Sequence, residues 1–523
     1  MLAGRTSTAL VVAVLLCTVS SAVAQAPYKT VPVDPKYLDQ KSTEFNQLKA
    51  AYSFKALRSN SLDQATRTAL EDYLRKYLFP TMTQPASLGE LSRIRLKLAT
   101  DFIAIKSADV HNHAIAETER TMKAIIGDNY HPLVRVNAMY VLAQLNEVEP
   151  TLKKRGGVPH VAVLPYMIER LSDPNTPDGV KVGALVGIRR HVFSFLVGDL
   201  STPVFPLDAR IDVEATVAGL LPLVKATDPG KRSPAGHAWM RGMAIESLAA
   251  MGQVGDNQEV LNAIIAVVSE KTAPMSLRCV AAKSIGIFRF DSELKAETED
   301  TTRGLGALAA FACQNEIDRM NKVIEKASSD SDSATPGSLQ GSGGGSSGIS
   351  SPGGAGGISG LGASSGGPGG SSGLSGLGGI GGGGGGSSAD FTGGPSVPEH
   401  QIVGFRRRIR YQLSSIQFGL KGGGELNRGV TGLTADDKRA LLDSVTKNVD
   451  ELLKLTESKM DLQELLVEFQ KSSRRLDVLT KKAPPVDPAA DPGKLPPDAG
   501  DVPDAPSLPA DAGDVPPAQP KGN

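Results

Sequence analysis

The stretch from Gly341 to Ser388 limits what the rest of the chain can build. Glycine makes up 25 of its 48 residues, and no charged residue lies between Asp332 and Asp390. Glycine gives up the most backbone freedom on folding and brings no side chain to bury. Such a segment forms no packed core. The chain is therefore expected to fold on either side of a disordered Gly/Ser-rich linker at 329–396. As a flexible coil the stretch spans roughly 35–42 Å r.m.s.. The expectation is two binding units that act at separate places on one tether.

Two further segments stand outside any core. After Arg5, Thr8 to Ala24 reads "TALVVAVLLCTVSSAVA". It is apolar, ends in small residues, and offers Ala22-Val23-Ala24 as a cleavage site. Residues 1–24 are read as a secretory signal peptide, and the apolar run is short for a membrane span. A lipid anchor on Cys17 would need a small residue where Leu16 stands. Export to a periplasm, cell envelope or extracellular space is expected. At the other end, 483–523 carries seven Asp and two Lys among many prolines. It is expected to be a disordered Pro/Asp-rich tail, extended and partly polyproline II.

Lys+Arg and Asp+Glu balance at 56 each, so no global charge draws the chain to nucleic acid or membrane. Removing the signal leaves Cys279 and Cys313, both in apolar helical patterns. They read as buried small hydrophobes or as one disulfide between neighbouring helices.

Between 38 and 328 helical periods dominate. Residues 38–130 are expected to form an N-terminal helical cap. Ser61 precedes a face of Leu70, Tyr73, Leu74, Tyr77 and Leu78, and Ser87 with Glu90 reads as a capping box before Leu91. Then one pattern recurs at 131–328: an apolar residue, a basic one, Ala three later and an aliphatic seven later. Its copies are Val134-Arg135 with Ala138 and Leu142, and Val180-Lys181 with Ala184 and Ile188. They continue with Met240-Arg241, Ala244 and Leu248, then Leu277-Arg278, Ala281 and Ile285. Offsets of three and seven share one helix face. The alanine allows close helix approach. The basic stem is expected to pack beside that face while its charge reaches solvent. A second apolar helix follows each copy.

This pattern resembles the HEAT repeat family, including HEAT-like repeats of bacterial exported proteins. His131-Pro132 with Val134-Arg135 matches the family motif best, and Ala273-Pro274 with Leu277-Arg278 comes next. Lys181 replaces Arg in the second copy, and the third lacks the opening proline. The resemblance implies an α-solenoid that binds other proteins along its surface, and it implies no reaction. Helix pairs that cannot bury a face alone would stack to share a core.

After the linker, 397–482 is expected to form a small helical module. Ile402, Phe405, Ile409, Leu413, Ile416 and Leu420 make a helical stripe. Arg406, Arg407, Arg408, Arg410 and Lys421 lie beside it with no acid between Gln401 and Lys421. The arginines are a solvated face, or they grip an anionic membrane or cell-envelope polymer. From 435 to 481 the stripe fits one long coiled-coil helix, or a hairpin broken near Ser458 with Ser458 and Asp461 as caps. The hairpin, with the arginine helix, would make a three-helix bundle.

Chemistry-bearing clusters are few. His111-Asn112-His113 would chelate a metal on extended backbone, whereas on a helix the two rings diverge. Arg189-Arg190-His191, Lys231-Arg232 and Lys153-Lys154-Arg155 are placed at helix ends or loops, offsetting macrodipoles. A basic edge for an acidic partner is the alternative. Trp239 is expected in the core. None of the known nucleophile, phosphate-loop or paired-histidine spacings occurs. The expectation is an all-α, non-catalytic, exported scaffold with a protein partner. No cofactor, metal, nucleic acid or small-molecule substrate is expected. Attachment to anionic membrane or envelope polymer is the alternative, and a metal-dependent enzyme using His111 and His113 a minor one.

Overall fold

The computed structural model describes residues 27–151, 157–196, 210–252, 255–288, 298–332, 397–423, 429–433 and 439–481. The segments expected as a signal peptide (1–24), as linker beyond Asp332 and as the Pro/Asp-rich tail lie outside the described residues. So does Lys153-Lys154-Arg155. Among the described residues the chain is helical almost throughout, and its only strands are β1 (Asn146–Val148) and β2 (Val158–Pro159), paired antiparallel. No described helix is long and apolar enough to cross a membrane.

At the N-terminal side, α1 (Thr43–Ala50) and α2 (Gln64–Tyr73) both run on into π-helical turns. Asp63 rather than Ser61 caps α2, accepting from Thr66 N at 2.7 Å. Leu70, Tyr73, Leu74 and Leu78 are buried. Tyr73 stacks on Tyr52 with ring centroids 3.9 Å apart. The expected Ser87–Glu90 capping box is not formed. Residues Pro85–Glu90 wind as a 3-10 turn, and Glu90 pairs with Arg93 instead.

From Leu91 the helices fall into two rows. The first row holds α3 (Leu91–Ala104), α5 (Pro132–Gln144), α7 (Asp178–Leu196), α9 (Pro234–Met251) and α11 (Met275–Ile285), each packed on the next. Opposite them lie α4 (Ala108–Gly127), α6 (Leu164–Ser172), α8 (Val213–Lys225), α10 (Glu259–Ser269) and α12 (Thr298–Asp332). Within the second row, α6, α8, α10 and α12 pack in series. Tyr166 of α6 reaches the Lys123 carbonyl of α4 at 3.3 Å. Across the rows, α4 packs on α5, α6 on α7, α8 on α9 and α10 on α11.

The motif explains the first row. Val134, Ala138 and Leu142 are fully buried, as are Val180, Ala184 and Ile188. The equivalent residues of α9 and α11 are buried too. The basic residues do something other than expected. Arg241 is 3% exposed and Arg278 5%, so their charge does not reach water. Arg135 Nε donates to Ile126 O at 2.9 Å, Arg241 Nη2 to Val224 O at 3.0 Å, and Arg278 Nε to Val268 O at 2.9 Å. Each acceptor is the penultimate residue of the preceding helix. The last carbonyls of a helix lack intrahelical donors and carry its negative dipole end. The motif arginine closes that end and ties each helix to the one before it.

Lys181, 7% exposed, occupies the same place on α7. Among the described residues no hydrogen bond ties it to the end of α6. Burial, with Arg232 adding, pushes its ammonium below the usual lysine range. Lys181→Arg is expected to supply the missing bond to Leu171 O and to stabilise the protein by roughly 1 kcal/mol, read as a higher thermal midpoint. A lower midpoint would show that the carbonyl is out of reach.

The helices beyond the linker continue this arrangement. Helix α13 (Glu399–Lys421) packs on α11 as the next member of the first row, and on α12. Its Phe405, Ile409, Leu413, Ile416 and Leu420 are fully buried in one core with the residues before the linker. Helices α14 (Arg439–Glu457) and α15 (Leu462–Thr480) form a hairpin, and α15 lies along α12. Asp461 caps α15, accepting from Glu464 N at 2.9 Å. The expected three-helix bundle thus has α12 as a fourth member. Instead of two units apart on a tether, the Gly/Ser-rich segment joins two helices that are neighbours in the fold. Cys279 and Cys313 are both free and buried, and burial pushes the Cys279 thiol up to about 12. That is the small-hydrophobe reading.

Candidate functional site

The side chains singled out for chemistry are mostly absorbed by packing. His111 and His113 lie two apart on α4 and face different partners. His111 Nε2 meets Glu149 at 3.2 Å, and His113 Nε2 meets Glu71 at 2.9 Å. They do not share a site. His113 does come together with Glu71 and Glu117. That cluster already holds a cation: Arg75 bonds Glu71 at 3.1 Å and Glu117 at 2.6 Å, and Arg120 bonds Glu117 as well. Burial disfavours the Glu117 carboxylate, but the two guanidiniums outweigh it and hold its pKa below the usual range. A divalent ion would have to displace Arg75.

Arg189-Arg190-His191 is not a basic edge. Arg189 pairs with Glu246 of α9 at 3.0 Å. Arg190 donates to Ala143 O at 2.9 Å and Leu145 O at 3.3 Å, closing the end of α5. His191 is fully buried between Gly187 O at 2.8 Å and His160 O at 3.2 Å. Burial lowers its pKa despite those two carbonyls. The sign follows: below about 6.5 the unfolded chain takes up a proton that folded His191 refuses, so stability falls as pH drops through that value. Thermal midpoints between pH 8 and 5.5 are expected to fall less steeply in His191→Gln than in the native chain.

The four arginines of α13 were expected to face solvent or an anionic surface. Arg406 instead donates to Thr456 O at 3.2 Å and Met460 O at 3.0 Å, at the end of α14. Arg408 pairs with buried Glu316 of α12 at 2.9 Å, and Arg410 with Glu457 at 2.7 Å. Arg407 is exposed and has no partner among the described residues. Phe405-Arg406 followed by Ile409 and Leu413 repeats the first-row spacing with Ile in place of Ala. Arg406 also repeats the carbonyl-closing role.

What packing leaves open is the outer face of the first row. Trp239, the sole tryptophan, is 48% exposed, not in the core as expected. It lines a groove of about 540 Å³ with Tyr140, Val182 and Met240, edged by Lys231 and Arg232. Arg232 pairs with Asp178 at 2.7 Å. A second groove of about 300 Å³ lies across α3, α5 and α7, lined by Leu96, Ile103, Val141 and Arg190 among others. Arg95 lines this second groove, stacks over the Tyr140 ring at 5.1 Å and donates to Asn137 at 2.9 Å. The two grooves therefore adjoin at Tyr140. Nothing in the sequence pattern marks Trp239 as exposed, because α9 is apolar on nearly every side.

No family model matches this chain, and neither a curated protein nor a solved structure matches it.

Proposed function

We propose that the chain is an exported, non-catalytic scaffold that binds other envelope or extracellular proteins through the first-row face of a HEAT-like α-solenoid. The observation that supports this most is the apolar band on that face: exposed Leu96 and Ile103 on α3, half-buried Tyr140 on α5 and exposed Trp239 on α9. Large aromatic side chains are disproportionately the anchors of protein interfaces. Contiguous apolar surface rimmed by charge marks an interaction face. On α5, α7 and α9 the motif residues bury the opposite sides of the same helices. The resemblance to HEAT repeats supports the same reading, and the apolar run from Thr8 to Ala24 with its small-residue end supports export.

The full chain immobilised and exposed to proteins exported by its source is expected to retain a specific partner. Leu96→Glu with Ile103→Glu is expected to lose it while keeping the helical content. Retention of the same proteins by both chains would overturn the surface assignment. The bonds of Arg406 to carbonyls and the ion pairs of Arg408 and Arg410 favour the protein-binding reading over attachment to an anionic surface.

A further inference from the structure

We propose, building on the scaffold reading, that the Trp239 groove binds an extended, acidic, proline-containing segment of a partner protein. Its walls come from three helices, α5, α7 and α9. Helix walls offer few free backbone donors or acceptors, so a strand seeking ladder partners gains nothing there. A polyproline II segment has no internal hydrogen bonds and keeps its backbone solvated. Its flat prolyl rings pack on aromatic side chains, the mode by which such segments dock aromatic-lined grooves. Here the indole of Trp239 and the phenol of Tyr140 supply those surfaces, and Val182 and Met240 the apolar floor.

Charge selects the acidic version. Lys231 is exposed and unpaired among the described residues. Arg232 shares its charge with Asp178, so the rim is net positive. A sugar chain fits less well. It needs directional hydrogen bonds, but Asp178 is committed to Arg232, and Ser233 caps α9 by accepting from Gly236 N at 3.1 Å. A long amphipathic helix would need an apolar stripe extending past the charged rim.

The sole tryptophan makes the test direct, because intrinsic indole fluorescence reports on this groove alone. The full chain is titrated with a synthetic peptide of repeated Pro-Pro-Asp, with its Pro-Pro-Asn counterpart and with an Ala-Ala-Asp control. A saturable shift in Trp239 emission is expected for the first. It is expected to be roughly five- to ten-fold weaker for the Asn peptide and for Lys231→Gln, and to weaken as salt is raised past about 0.1 M. With a labelled peptide, Trp239→Ala is expected to abolish binding; Lys231 and Trp239 are both exposed, so the fold is retained. No saturable change with the acidic peptide, or an equal change with the Ala-Ala-Asp control, overturns the proposal. If the peptide fails while the immobilised chain still holds a partner that Leu96→Glu with Ile103→Glu loses, the groove assignment falls and the scaffold reading stands. If neither occurs, both fall.

Discussion

A site-specific protease sequence placed at Gly366 and cleaved is expected to leave two fragments that elute together from a sizing column. Gly419→Val is expected to separate them. The reason lies where α13 crosses α11. A Cβ built on Gly419 would lie 3.2 Å from the carbonyl carbon of Ala282 and closer still to its oxygen. A Cβ on Gly286 would meet the Phe418 carbonyl in the same way, 2.7 Å from its carbon. These are backbone atoms on both sides, so no side chain can turn aside. Valine at 419 must push the helices apart over the length of α13. The buried row of Phe405, Ile409, Leu413, Ile416 and Leu420 would lose part of its packing. Overpacking of this kind costs about 3 kcal/mol, roughly a hundred-fold in fragment affinity. Before cleavage the linker keeps the two parts at high effective concentration, so the uncut variant should show a smaller defect than the cut one. Separation of the cleaved fragments in the chain that keeps Gly419 would mean that the two parts act independently, as the glycine-rich stretch alone implies.

That contrast shows what the residues carry on their surface and what they do not. The four-fold motif was legible because local helix geometry puts Ala138, Ala184, Ala244 and Ala281 on one face with their aliphatic partners, and that face is the one the neighbouring helices bury. The hairpin in 439–480 was only half legible: Ser458 and Asp461 both offered caps, but the apolar stripe fitted one long helix as well, and of the two only Asp461 caps α15. The fate of the motif arginines was not. Their acceptors are carbonyls such as Val224 O and Val268 O, whose positions depend on where the previous helix ends. The fifth copy of the motif, at Phe405-Arg406, was hidden by Ile409 standing where alanine stands elsewhere, and by the long glycine-rich interruption before it. A stretch that cannot fold still says nothing about whether its two ends meet. Only the close-approach glycines, Gly286 and Gly419, record that they do, and a glycine in isolation has too many other uses to be read that way. Trp239 was misplaced for a simpler reason: a helix apolar on most sides does not announce which side is left uncovered.

The second large effect is expected at Glu316, a fully buried carboxylate on α12. It accepts from Arg408 Nε at 2.9 Å and Gln412 Nε2 at 3.3 Å on α13, and from Arg319 Nη1 at 3.0 Å on its own helix. The two sides of this cluster are not equivalent. The Arg408 side chain is 44% exposed, so it regains water when Glu316 is removed. Glu316 has no water to regain. Arg408→Met is therefore expected to destabilise the protein by about 2–3 kcal/mol, since it leaves a buried charge short of a partner. Glu316→Gln keeps the shape and removes the charge, and is expected to cost about 1 kcal/mol or less. The pair Glu316→Leu with Arg408→Met is expected to be more stable than Arg408→Met alone, because neither charge is then stranded. Denaturant unfolding of the native chain, Arg408→Met, Glu316→Leu and the pair closes the cycle, with Glu316→Gln as the comparison that removes the charge alone. Equal losses from Arg408→Met and Glu316→Gln would mean that the pair holds α13 on α12 by mutual attraction alone. The expected asymmetry means instead that desolvated Glu316 demands α13, and that the arginines after the glycine-rich stretch are there to meet it.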